Sequence, residues 1–162
     1  MKIPLPSIKG VIILPLKILS DERGTLVETY RRDMLPEGID LAMSYVSYTE
    51  PGYARGPHEH LEQTDVFSFI GPGDFEIYLC DNRMDSPTFG KKMRFVAGES
   101  NPVTVVVPPR IVHGYRNISE NIKSMVLNYP DRLFMGRGKK GPVDEIRHED
   151  IDDEFNKDFQ GS

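Results

Sequence analysis

The chain has 162 residues and a formal net charge of −5, with 20 lysines and arginines against 25 aspartates and glutamates. That length fits one domain, 1–162, with a sizeable core, and the acidic balance argues against nucleic acid as an obligate partner, because phosphate recognition needs a clustered basic surface. The single cysteine, Cys80, lies inside an apolar run, cannot form an internal disulfide and reads as a buried filler in a reducing compartment.

In chain order, the first apolar stretch runs from Val11 to Leu19 and is broken by Pro15 and Lys17. It is too short to span a bilayer and its flanks do not resemble a signal peptide, so a cytoplasmic protein with no membrane contact is expected. Strands are expected over 10–18, 24–30, 42–48, 65–70, 75–80, 92–96, 103–107, 113–118 and 124–128. Thirteen prolines and fourteen glycines separate them, as frequent chain reversal requires. Gly71-Pro72-Gly73-Asp74, between two of these strands, reads as a hairpin. One helical turn is expected over 31–35, before Pro36, and one short amphipathic helix over 143–155 in a charged tail that begins at residue 142. Many short strands with little helix point to an all-β jelly roll or barrel with a short C-terminal helical tail.

Two blocks carry the chemistry. Arg55-Gly56-Pro57-His58-Glu59-His60 is followed by Asp65, and the second block runs from Pro108 through His113 to Asn117; three of the four histidines fall in them. Residues i and i+2 of a strand share a face, so His58 and His60 enter or leave a barrel together. With His113 arriving from another strand, three imidazoles and the Asp65 carboxylate can converge, either as a hydrogen-bonded pocket or as ligands of a divalent metal. His-x-His-x4-acid, with a later Pro-x4-His-x3-Asn, looks like the paired motifs of the cupin superfamily, the double-stranded β-helix, which often holds such a metal. Asp65 stands where glutamate is usual, and Arg110 where glycine is.

A longer set of ordered blocks is more specific. Asp21 to Glu28, Ala54 to His58, Asp81-Asn82-Arg83-Met84-Asp85-Ser86-Pro87-Thr88-Phe89-Gly90, Val107-Pro108-Pro109 and His113-Gly114-Tyr115 resemble the dTDP-4-dehydrorhamnose 3,5-epimerase family over residues 10 to 130. The resemblance implies a metal-independent cupin that needs no cofactor. It implies a substrate that is a nucleotide-linked 4-keto-6-deoxy sugar, and a homodimer whose N-terminal strands, within 1–30, reach across to the partner. It further implies His58 as base and Arg55, Arg23 and Glu28 as contacts to phosphate and nucleotide. His60 and His113 would line the sugar pocket, and Tyr129 would be the candidate acid.

The chemistry follows from general principles. A proton beside a ketone is removable only if a base is held against it and the forming enolate oxygen is stabilised. Return of a proton from the opposite face inverts the centre, and histidine is the side chain best poised to act near neutral pH. The chain departs from the family where a lysine should follow the base, since Gln63-Thr64-Asp65-Val66-Phe67 has none. A narrower epimerisation, at one carbon only, is the expected consequence. No spacing selects the carboxylate that should orient His58, although Asp144 and Glu145 lie in a suitable segment. Three alternatives stay open: a nucleotide-sugar 3,4-ketoisomerase, which shares Arg-Gly-x-His-x-His; a metal-dependent cupin enzyme using His58, His60, Asp65 and His113; and a sugar-nucleotide-binding cupin without catalysis.

Overall fold

The computed structural model describes residues 4–161. Two strands that are buried at every position organise it. β6 (Asp65–Phe69) and β9 (Val103–Val107) pair antiparallel, with Phe67 opposite Val105. Around them run β1 (Ile12–Pro15), β4 (Tyr45–Thr49) and β11 (Ser124–Asn128), giving a first sheet in the order β1-β9-β6-β11-β4. The second sheet contains β5 (Ala54–Glu59), β7 (Asp74–Asp81), β8 (Lys92–Gly98), β10 (Ile111–Asn117) and β12 (Ile146–Arg147), ordered β12-β5-β10-β7-β8. β2 (Ile18–Asp21) and β3 (Gly24–Val27) form a separate ribbon.

Alternation along each strand decides what enters the space between the sheets. Phe67 and Phe69 from β6, Val103, Val105 and Val107 from β9, Phe75, Ile77 and Leu79 from β7, and Ile111 and Tyr115 from β10 form the main core. The rings of Phe69, Phe75 and Tyr115 meet edge to face at 5.1 to 5.7 Å, the arrangement their quadrupoles favour. The outer face of the second sheet is closed by α1 (Glu154–Gln160), whose Phe159 packs with Tyr78, Cys80 and Val112. Cys80 is thus a buried filler, and burial pushes its thiol up. Among the described residues no helix is long and apolar enough to cross a membrane.

The all-β expectation holds, and several boundaries move. The strand expected over 10–18 is two strands in different sheets, parted at Leu16-Lys17. The hairpin expected at Gly71–Asp74 is a crossover: both edges of β6 are already taken by β9 and β11, so the chain passes to the other sheet as β7. The helix expected over 143–155 is replaced by β12, a 3-10 turn at His148–Asp150 and then α1. Pairing of Ile146 with Glu59 holds the first part extended, and the Asp153 side chain, accepting the Asn156 amide, starts the helix later than the apolar pattern indicates. The turn at Arg32–Met34 falls where expected.

The Asp81 to Gly90 block turns out to be a self-bonded loop. The Asp81 carboxylate, fully buried, accepts hydrogen bonds from the Arg83 amide, Arg83 Nε and Nη2, Ser86 Oγ and Thr88 Oγ1, the last two at 2.6 Å. Arg83 also reaches the Lys9 carbonyl at 2.6 Å, tying the N-terminal segment to this loop. Burial would raise the carboxyl, but the donors from Arg83, Ser86 and Thr88 outweigh it and hold it well below its ordinary 3.8. Asp81→Ala is therefore expected to lower stability by about 2–3 kcal/mol in urea unfolding at neutral pH. Because the folded value is depressed, this contribution is complete above 3.8 and is lost as pH falls through the lower folded value, so variant and parent converge towards acid.

Candidate active site

Residues three apart on a regular strand face opposite ways, yet Arg55 and His58 both line one cleft. The reason is a bulge in β5. His58 pairs with His113 and Arg55 with Tyr115, so Gly56 and Pro57 stand opposite the single residue Gly114. Gly56 sits at φ +80°, and a Cβ there would approach the His113 carbonyl oxygen to 2.6 Å. The glycine of Arg-Gly-x-His is therefore a backbone requirement that turns an arginine and a histidine to the same side.

The cleft, about 1460 Å³, lies between the mouth of the two sheets and the segment after β11. His58 and His60 stand on its wall, and His113 and Asp65 lie beneath them, 3 % and 1 % exposed. One donor atom from each of these four residues lies within 4.8 Å of the others. The His58 and His113 rings are 4.4 Å apart, centre to centre. Asp65 Oδ1 accepts from Gln63 Nε2 at 3.0 Å and Asn128 Nδ2 at 2.8 Å, while Oδ2 faces His60 Nε2 at 3.0 Å and His113 Nε2 at 3.3 Å. Neither Oδ2 contact has hydrogen-bond geometry.

Charge sorts the imidazoles. Burial, with like-charge pressure from His113 and His60, drives His58 well below 6.5, so it is neutral at physiological pH. Burial alone would lower His60, but Asp65 and the Asp144 carbonyl outweigh it and raise it to about 9. Asp65 is held well below the carboxylate range, since His113 and His60 overcome the effect of its burial.

The C-terminal segment completes the site. Asp144 accepts the amides of Leu61, Glu62 and Gln63 at 2.9 to 3.0 Å, and its carbonyl accepts His60 Nδ1. Next to it, Glu145 Oε1 lies 3.8 Å from His58 Nδ1. Spacing did not separate these two acids, whereas the structure does: Asp144 clasps backbone, and Glu145 faces the neutral histidine. On the other side of β5, buried Glu59 meets His148 Nε2 at 3.1 Å, and His148 Nδ1 meets Asp153. That chain of charges pins the segment which carries Glu145.

The remaining expected site residues fall in different places. Arg55 lines the cleft, held by Thr49 Oγ1 and the Tyr48 carbonyl, both at 3.2 Å. Arg23 pairs with Asp21 on the exposed β2–β3 ribbon, and Glu28 pairs with Arg31; neither lines the cleft of its own chain. Tyr129 does not line it either. Asn128 points inward to Asp65, so the next residue points outward, where the Tyr129 hydroxyl lies 2.7 Å from Thr29 Oγ1. Three other tyrosines line the cleft, Tyr45, Tyr53 and Tyr115; the Tyr45 hydroxyl accepts Asn128 Nδ2 at 3.0 Å, and burial weakens its acidity. Arg116, Arg132, Lys139 and Arg147 line the same cleft and were not picked out in sequence. The basic run at residues 137–140 was the available signal for Lys139.

Residues 6–131 match the sequence profile of the family dTDP-4-dehydrorhamnose 3,5-epimerase. The chain is 38 % identical over 131 residues to a probable low-salt glycan biosynthesis epimerase, Agl13, of Haloferax volcanii, covering 80 % of this chain and 83 % of that protein. It is 36 % identical over 114 residues to the spore coat polysaccharide biosynthesis protein SpsL of Bacillus subtilis, covering 70 % and 74 %. Among solved structures, a dTDP sugar isomerase from Desulfovibrio desulfuricans superposes with a TM-score of 0.76 at 21 % identity, over 92 % of each chain, which shows a shared fold.

The clasp can be tested without substrate. Among the described residues, His148→Ala leaves the buried Glu59 carboxylate with only Asn82 Nδ2, at 2.8 Å, against it. A loss on the order of 2–4 kcal/mol is expected. Hydrogen exchange followed by mass spectrometry should show residues 144–160 losing protection before the two sheets do.

Proposed function

The chain belongs to the dTDP-4-dehydrorhamnose 3,5-epimerase family, and from that premise we propose that it epimerises a nucleotide-linked 4-keto-6-deoxy hexose, with His58 as the base. The observation that carries this assignment is His58 itself: neutral at physiological pH, on the cleft wall, with Glu145 at its far nitrogen. Nε2 takes the proton beside the ketone while Glu145 stabilises the imidazolium that forms on the Nδ1 side. Catalytic hydrogen bonds often lengthen in the absence of substrate, which accommodates the 3.8 Å separation.

The returning proton needs a donor across the cleft. Tyr45 fits that role better than Tyr129, because its hydroxyl is inside the cleft and that of Tyr129 is committed to Thr29. Arg55 stands on the wall as a fixed cation for the ketone oxygen or a phosphate, and Arg116, Arg132 and Lys139 line the route by which a diphosphate would enter. The absence of the family lysine favours inversion at a single carbon.

A homodimer belongs to the same reading. A two-stranded ribbon is barely stable in water by itself, and this one exposes Ile18, Leu19 and Leu26 by 41, 47 and 59 %. Packing on a second copy would cover those side chains and carry Arg23 and Glu28 towards a neighbouring cleft. Leu19→Asp combined with Leu26→Asp is expected to halve the mass in sedimentation and to leave the circular dichroism unchanged. Unaltered mass would argue against the ribbon as the interface.

With dTDP-4-keto-6-deoxyglucose in D2O, parent protein should lose one ring proton signal, at C3 or C5, and accumulate an inverted product by NMR. His58→Asn should slow this about 10²- to 10⁴-fold with the fold intact, and Glu145→Gln less severely. Tyr45→Phe should keep deuterium exchange at the carbon yet lose most of the inversion, whereas Tyr129→Phe should retain both. Full activity in His58→Asn would remove it as the base.

A further inference from the structure

We propose that Arg147 is a positioning residue for the base: it holds the Glu145 carboxylate in register with His58. The assignment rests on the epimerase reading, in which His58 takes the proton and Glu145 stabilises the imidazolium. Arg147 is a cation of the cleft that this reading leaves without a role.

Strand pairing puts the three side chains together. β12 runs antiparallel to β5, and Arg147 is the residue directly opposite His58. Side chains of such a pair leave the sheet on the same face, with Cβ atoms roughly 4.5–5.5 Å apart. Glu145 stands two residues before Arg147, the spacing that returns an extended chain to the same face. All three line the cleft. A guanidinium and an imidazole are thus neighbours, and one carboxylate serves both: Oε2 accepts Arg147 Nε at 3.0 Å, and Oε1 faces His58 Nδ1 at 3.8 Å.

Two features make this a contact of position more than of stability. The Glu145 side chain is 15 % exposed, and among the described residues Arg147 Nε is its hydrogen-bond donor. Without that anchor, its rotamers are free to turn Oε1 away from His58. Arg147 is 57 % exposed, and an ion pair with one partner open to water contributes little to folding. Glu145 foremost, with Glu149 and Asp150 of the next turn behind it, stabilises the charged guanidinium and keeps it on this strip. The same contact matters far more to the reaction, since a misplacement of about 1 Å can cost on the order of 100-fold in rate.

The experiment is a double-mutant cycle on the parent, Arg147→Ala, Glu145→Ala and the double variant, with deuterium exchange on dTDP-4-keto-6-deoxyglucose followed by NMR. Arg147→Ala should lower kcat about 10- to 100-fold with KM within about twofold, at unchanged circular dichroism and Tm. Arg147→Lys should recover most of that loss, because an ammonium can also hold one carboxylate oxygen. In the Glu145→Ala background the Arg147→Ala change should cost less than about twofold, since a residue that acts through Glu145 then has nothing to position. A raised KM at unchanged kcat, additive losses, or turnover in Arg147→Ala as fast as the parent's would overturn the assignment. A second readout needs no turnover: the nitrogen-15 shifts of the His58 imidazole, assigned by their loss in His58→Asn. Parent and Arg147→Lys should hold the Nδ1–H tautomer that faces Glu145, and Arg147→Ala and Glu145→Ala should both shift towards the other tautomer. Equal tautomer populations in parent and Arg147→Ala would overturn the assignment as well. A parent that exchanges no proton would count against the epimerase reading, and the imidazole spectra would still decide the place of Arg147.

Discussion

A carboxylate buried under three imidazoles sets the terms for the rest of this site. Asp65 sits at the start of β6, one of the two fully enclosed strands of the first sheet, where an isolated charge would be costly. It is tolerated because Asn128 from β11 and Gln63 from the preceding loop bind one oxygen, and His60 and His113 face the other. The negative charge thus favours the charged form of His60. His58, one step further out, is left neutral by its burial and by the same imidazoles. One buried acid therefore divides three chemically identical side chains into one held neutral on the cleft wall and two that face the carboxylate.

The wall opposite is built by the C-terminal segment rather than by a sheet. Asp144 gathers three amides of the loop after β5, and the Glu59–His148–Asp153 chain anchors the stretch from β12 to α1 on the back of the same strand. Successive residues of β5 thus serve two layers: His58 faces the cleft and Glu59 holds the segment that brings Glu145 to His58. Such coupling makes the geometry around His58 depend on packing that is remote from it, including Phe159 against Tyr78 and Val112.

Several blocks that carry the family likeness are architectural. In the Asp81 to Gly90 loop, Asp81, Arg83, Ser86 and Thr88 bond one another and the N-terminal segment. Gly56 permits the bulge that aligns Arg55 with His58. Sequence similarity in these places reports a common scaffold. The stretch Gln63 to Phe67, in contrast, has no lysine, and Asp65, Asn128 and Tyr45 meet there in a hydrogen-bonded cluster.

The sequence by itself determined the all-β class, most strands and the pairing of the two histidine blocks, because alternation and turn residues are local signals that survive any packing. It also identified the family through the order of its blocks. It did not reveal β5, since Gly56 and Pro57 read as breakers, nor that Gly71–Asp74 joins different sheets, because partner choice depends on which strand edges are already occupied. The start of α1 was misplaced for a similar reason: pairing of Ile146 with β5 overrode an apolar pattern that fits a helix. Only the tertiary structure decided between Asp144 and Glu145, and turned Tyr45 inward and Tyr129 outward. Those choices depend on strand parity, a bulge and contacts between residues some 80 positions apart, such as those of Asp144 with 61–63. No local pattern encodes them.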